Sequence, residues 1–285
     1  MKPEKIGKYE IVRRIGEGST GTVYKAFDPI VDRFVALKVI PGEKVSKPEP
    51  LQRFKKEVRA QGRLIHPNVA LLFDVEYIAG EYIIVMEYVE GRSLREVMRE
   101  EKIFTLQAFY TLIGQVCLGL ACAHRQGVVH RDIKPENLRL TPEKRIKILD
   151  FSIAKIQSAT ATATGMNFLL GSAHYMAPEQ IMGMAVTPAT DQFAVGVISY
   201  EMLTSRRPFE SGSLADSILN ATRMEPPPIQ DCNPMVDPEL GAIIARTLRK
   251  EPHQRHPSIQ HYQRALRDYF RKIDLVLPDL EDLDD

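Results

Sequence analysis

Short runs rich in Val, Ile, Tyr and Phe fill the first forty positions and predict strands there. Tyr9-Glu10-Ile11-Val12 leads into Ile15-Gly16-Glu17-Gly18-Ser19-Thr20-Gly21-Thr22-Val23-Tyr24-Lys25-Ala26. Asp28-Pro29 then marks a turn before Phe34-Val35-Ala36-Leu37-Lys38-Val39-Ile40. A loop carrying Pro41, Pro48 and Pro50 follows, after which the period changes. Leu51, Phe54, Val58 and Gln61 share one helical face, which predicts an amphipathic helix over 51–64 broken by His66-Pro67-Asn68. Two further strands are expected over 71–77 and 82–88, and the turn Glu90-Gly91-Arg92-Ser93 marks a boundary between a small β-rich part and a larger helical one. In the second part a short helix is read over 93–99. Thr105 caps a long one that runs to His124 and is stopped by Gly127, with Leu112, Val116, Leu120 and Ala123 as its apolar stripe. Positions 191–203 are nearly all apolar, as in a helix buried on every side. Pro226-Pro227-Pro228 reads as a rigid connector, and helices over 240–248 and 259–270 close the pattern. The element mix is α+β.

One polar stretch interrupts the apolar pattern in a way that suggests chemistry. In Val129-His130-Arg131-Asp132-Ile133-Lys134-Pro135-Glu136-Asn137-Leu138 a carboxylate, a lysine and a carboxamide fall within six residues, enclosed by Val128, Val129, Ile133, Leu138 and Leu140. This reads as a tight loop between short strands. Asp132 could take a proton from a nucleophile, Lys134 could sit on a transferring anion, and Asn137 could ligate a hard cation through its carbonyl oxygen. Arg145 to Asp150 reads as a strand ending in a second carboxylate. The glycine-rich segment is flanked by strands. A dinucleotide-binding fingerprint opens a helix instead, so that reading is set aside in favour of a phosphate cover. Glu57 taken alone is an ordinary helix charge.

Composition narrows the field. The chain has 285 residues, 44% hydrophobic and 26% charged, with a formal charge of +1. That balance favours neither nucleic acid nor a membrane surface as partner. Cys117, Cys122 and Cys232 lack metal-ligand spacing and suit a reducing, cytoplasmic compartment. No basic-then-apolar leader opens the chain and no apolar run approaches about 18 residues, so no membrane span is expected within it.

Read in order, these pieces resemble the eukaryotic-type (Hanks-type) serine/threonine protein kinases, in a bacterial-like form, across residues 9–270. The resemblance implies a bilobal fold, with a small antiparallel β-sheet lobe carrying helix C over 9–89 and a mainly helical lobe over 90–270; residues 271–285 form an acidic tail. It implies ATP with magnesium, or manganese, and protein substrates. Gly16, Gly18 and Gly21 match the glycine loop, with Ile15 and Val23 touching the base. Ala36-Leu37-Lys38 matches the strand whose Lys38 holds the α and β phosphates, and Glu57 becomes its helix partner. Met86 takes the gatekeeper position, and Glu87-Tyr88-Val89 presents hinge groups to adenine. Asp132 matches the catalytic base, Lys134 the γ-phosphate contact, and Asn137 and Asp150 the metal ligands. Ser172 would meet Asp132 and Lys134, Glu179 would pair with Arg255, and Asp191 would brace the catalytic-loop backbone. Arg131 implies control by activation-loop autophosphorylation at Thr160, Thr162 or Thr164, and a homodimer would allow this in trans.

Three positions depart from the family pattern. Ser152 replaces a glycine, which narrows a hinge and alters loop switching. Arg139 stands where an apolar residue floors the base, so its guanidinium stacks on adenine or swings out while Leu138 and Leu140 pack. Gln61 places an amide in an apolar stack under helix C. These keep a nucleotide-binding pseudokinase or scaffold as the alternative to an active kinase. A small-molecule kinase is disfavoured by the intact Ala177-Pro178-Glu179 segment.

Overall fold

The computed structural model describes residues 4–18, 21–45, 48–151 and 173–276. These residues divide into two compact units at Glu90/Gly91.

The first unit is a six-stranded antiparallel sheet with one helix. Its strands are β1 (Lys5–Ile6), β2 (Tyr9–Gly18), β3 (Gly21–Asp28), β4 (Arg33–Pro41), β5 (Leu72–Ile78) and β6 (Glu81–Glu87), in the order β1-β2-β3-β4-β6-β5. Alternation along β4 sorts the core into two faces. Val35, Leu37 and Val39 join Tyr9, Ala26, Ile83 and Val85 on one side. Ala36 and Ile40 join Ile84, Met86 and Phe54 on the other, where helix α1 (Pro48–Gln61) lays down Leu51, Phe54 and Val58.

The helix begins three residues before Leu51, so Pro48 and Pro50 belong to its first turn rather than to the preceding loop. A missing N–H costs nothing there, because the first helical donors have no intrahelical acceptor. It also ends earlier than 64, at Gln61, where Leu64 N–H bonds back to the Gln61 carbonyl in a turn.

The second unit opens with β7 (Arg92–Ser93), α2 (Leu94–Glu101) and α3 (Leu106–Arg125). Ser93 and Glu96 form a reciprocal capping box, and Thr105 accepts from Ala108 N–H at the start of α3. β8 (Leu138–Leu140) and β9 (Ile146–Ile148) pair beside β7. Then come α4 (Pro178–Ile181), α5 (Pro188–Thr204), α6 (Leu214–Arg223), α7 (Ile229–Cys232), α8 (Pro238–Thr247) and α9 (Ile259–Lys272). The strand β1 and the helices α4, α6 and α7 had no counterpart in the sequence pattern.

Helix α5 is buried from Thr190 to Thr204 and packs on α3 and α8, while α9 packs on α3 and α8. Helix α3 corrects one expectation. It has 20 residues, and an 18-residue window within it has a mean hydropathy of 1.5, long and apolar enough to cross a membrane; 78% of that window is buried inside the protein. It is the core helix of its unit. Helix α9 continues two residues beyond 270, and Gln107 Nε2 donates to the Val276 carbonyl.

Candidate active site

In the second unit the polar stretch around Asp132 is held from beneath by two buried side chains. His130 is fully buried. Its Nε2–H donates to the Leu149 carbonyl at 2.8 Å, and its Nδ1 accepts Asp132 N–H at 3.2 Å. Burial holds its pKa below the ordinary histidine value, which matches the neutral tautomer this pairing requires.

Asp191, at the start of α5, accepts His130 N–H and Arg131 N–H at 2.8 Å each, and lies 2.8 Å from His124 Nε2. Burial opposes its charge, but His124, His130 and the backbone donors outweigh it, so the carboxyl stays below the usual range. Arg131 has φ +67°, the left-handed region that a non-glycine residue occupies only when its surroundings hold it there. Asp191 and Gln180 do so; Gln180 Nε2 donates to the Arg131 carbonyl at 2.9 Å.

On this footing Asp132, Lys134 and Asn137 converge. Lys134 Nζ lies 3.0 Å from Asp132 Oδ2, and Asn137 Nδ2 donates to the Asp132 carbonyl at 2.8 Å and to Oδ2 at 3.2 Å. The chain turns tightly between them, with Asn137 N–H bonded to the Lys134 carbonyl. Leu149 N–H bonds to the Asn137 carbonyl and so places Asp150 next in line. Asp150 also has a left-handed backbone, φ +53°.

No group of three or more His, Cys, Asp or Glu side chains suited to a metal occurs among the described residues. A metal here would take Asp150 and the oxygen end of the Asn137 amide, whose nitrogen end is turned to Asp132, with the remaining ligands from a bound phosphate. That donor set fits magnesium, which usually takes one or two carboxylates plus phosphate oxygens.

In the first unit the glycine segment is a hairpin, with Gly16 opposite Val23 and Gly18 opposite Gly21. The glycines differ in cause. A Cβ on Gly21 would lie 2.0 Å from the Val39 carbonyl oxygen, so close backbone approach alone demands glycine. A Cβ on Gly16 would meet only Val23 at an ordinary 3.7 Å. Packing therefore leaves room at Gly16, so close contact within the fold does not by itself demand glycine there. Ile15 is exposed beside it.

Lys38 pairs with Val23 and Ile84, and alternation puts it on the Ala36–Ile40 face that α1 covers. Glu57 lies on α1, half-buried, one position before Val58. Ala36 and Met86 are buried opposite one another, Val89 is buried, and Glu87 bonds Leu71 through both its backbone N–H and its carboxylate.

The amide of Gln61 is buried on α1, and its Oε1 has no hydrogen-bond partner among the described residues. Arg139 is half-buried, and its Nη2 donates to the Gly91 carbonyl at 2.6 Å; Leu138 is fully buried and Leu140 only half-buried. The expected Glu179–Arg255 pair is present, bidentate at 2.8 Å and buried. Ser152, Thr160, Thr162, Thr164 and Ser172 lie outside the described residues.

Sequence reasoning had not singled out His130, His124 or Gln180 as supports. Gln180 directly follows Ala177-Pro178-Glu179, which is the one available hint; the others act through folds of the chain that no local pattern reveals.

A profile of the protein kinase domain matches residues 9–266. The chain belongs to the protein kinase family. It is 35% identical over 264 residues to serine/threonine-protein kinase PrkC of Bacillus subtilis, covering 93% of this chain and 41% of that protein. It is 36% identical over 258 residues to PknA of Mycobacterium tuberculosis, covering 88% and 59%. Among solved structures the PknI kinase domain of Mycobacterium tuberculosis superposes with a TM-score of 0.72 at 25% identity, covering 93% of this chain and 96% of that one. This kinase-family chain thus has the bilobal protein-kinase fold and bacterial serine/threonine-kinase relatives, and it spans 41% and 59% of the lengths of the first two.

Proposed function

We propose that this chain transfers the γ-phosphate of ATP to serine and threonine hydroxyls of proteins. The observation that carries this is the convergence of Lys134 Nζ and Asn137 Nδ2 on Asp132 Oδ2 over a neutral, buried His130. Asp132, which Lys134 and Asn137 both contact, would accept the hydroxyl proton. Lys134 would neutralise charge on the moving phosphoryl group. Lys38 and the Gly16–Gly21 hairpin would hold the other phosphates, and Ala36, Met86, Val89 and Val23 would bound the base. Magnesium held by Asp150 and Asn137 would offset phosphate charge. Such a reaction depends on positioning and fixed charge more than on covalent chemistry.

The names of the bacterial relatives support serine/threonine specificity and protein substrates. The free thiols of Cys117, Cys122 and Cys232 support a cytoplasmic location.

One observation favours a second reading, a nucleotide-binding scaffold: the buried Gln61 Oε1, which has no hydrogen-bond partner among the described residues. Transfer of γ-labelled phosphate to the chain itself or to a basic test protein decides between them. The kinase reading expects labelling by the wild type and none by Asp132→Asn. If both stay silent while nucleotide still binds, the scaffold reading replaces it.

A further inference from the structure

Arg95 sits in the first turn of α2 with its side chain turned inward, only 11% exposed. Each of the three guanidinium nitrogens serves a different partner. Nε donates to Glu136 Oε1 at 2.9 Å, in the turn between Lys134 and Asn137. Nη1 donates to Glu201 Oε1 at 2.8 Å, on α5. Nη2 donates to the Tyr175 hydroxyl, which itself donates to Glu201 Oε2 at 2.5 Å. These partners lie 41, 106 and 80 residues away along the chain, so the contact forms only once the unit has folded.

Burial opposes the charge on Arg95, but Tyr175, Glu201 and Glu136 outweigh it and hold the guanidinium above the ordinary arginine value. Burial and Glu201 push the Tyr175 hydroxyl upward, so it remains a neutral donor. A lysine would carry its three donors on one nitrogen at the end of a flexible stem; the guanidinium spreads its donors over three nitrogens in a rigid planar fork, which suits three partners set apart from one another.

We propose that Arg95 is a positioning residue for the phosphoryl transfer. It locks the loop carrying Asp132 and Asn137 to the segment Ala173–Tyr175, which continues directly into Met176-Ala177-Pro178-Glu179. The inference rests on the kinase reading for its kinetic consequence. Its structural content is separate: Glu136 is the immediate neighbour of Asn137, whose amide holds Asp132, so releasing Glu136 frees that amide to shift.

The test compares Arg95→Met, Glu136→Gln and the double variant with wild type and with Arg92→Met, a control whose exposed side chain pairs with Glu100. Arg95→Met is expected to lower kcat by about 10- to 100-fold with the KM for ATP unchanged, since a misplacement near 1 Å is worth that much. Glu136→Gln should lose less, and the double variant should lose no more than Arg95→Met, because both act through one contact.

Amide exchange over residues 130–138, read without nucleotide, should speed up in Arg95→Met and not in Arg92→Met. Unchanged exchange there, additive kinetic losses, or a loss of kcat equal to the loss of folded fraction by circular dichroism would each overturn the proposal. A wild type that transfers no phosphate defeats the kinase reading instead, and the exchange measurement still decides the role of Arg95.

Discussion

Asp132 depends on which nitrogen of His130 carries the proton. Protonating the ring at Nδ1 turns an acceptor of the Asp132 N–H into a donor and sets two donors against each other. Burial holds the folded His130 below its ordinary value of 6.5, and burial does the same for His256. As the pH falls past 6.5 the unfolded chain takes up protons that the folded one refuses, so stability declines with acid; above 6.5 the difference vanishes. Asp191 and Glu179, held low by their partners, add a further loss as the pH falls through the carboxylate range. The unfolding midpoint should therefore drop between pH 7 and pH 5 and drop faster below that. A midpoint that stays level from 7 to 5 would show that these histidines are not buried as neutral rings. The sequence exposed Asp132, Lys134 and Asn137 because polar groups stand out in an apolar run. It could not expose the Arg139 contact, since the Gly91 carbonyl that captures it comes from a turn 48 residues earlier.

Elements show the same division between local and distant causes. The extent of α3 was readable from Thr105 and Gly127, because caps are local. The start of α1 was misread because prolines signal both loops and first helical turns, and only packing of Leu51 and Phe54 on the sheet selects between them. On that helix, Gln61 buries an amide oxygen with no partner among the described residues. Gln61→Met keeps the volume and removes the polar atom, so it should stabilise the protein by about 1–3 kcal/mol in denaturant titration; destabilisation would mean that the amide has a partner in solution. The tie between Arg255 and α4 predicts the opposite sign. Arg255 is fully buried and holds Glu179 by two bonds. Arg255→Met strands a buried carboxylate and should cost about 3–5 kcal/mol, whereas replacing both partners by apolar residues should recover much of the loss.

At the scale of the whole molecule, the order of strands β1-β2-β3-β4-β6-β5 and the burial of α5 arise from long-range pairing that no window of sequence contains. Yet the candidate residues for the chemistry stood out in the sequence, because charge and close backbone approach mark them rather than topology. Their distribution makes the proposed reaction separable. The candidate phosphate holders, Lys38 and the glycine hairpin, lie in the first unit; the candidate base and metal ligands, Asp132, Asn137 and Asp150, lie in the second. A nucleotide held without metal should therefore stabilise the protein less than the same nucleotide with magnesium. At one hundred times its dissociation constant a ligand adds about 2.7 kcal/mol, and each tenfold loss of affinity removes about 1.4. Thermal unfolding with ATP should show a large shift with magnesium and a smaller one with a chelator. Asp150→Asn should erase the difference between the two, since it removes the only carboxylate assigned to the metal. Lys38→Met should shrink both shifts, because it weakens phosphate holding whether or not metal is present. If Asp150→Asn kept the full magnesium increment, the metal would have to be held elsewhere, and the role assigned to Asp150 would fail while that of Lys38 stood.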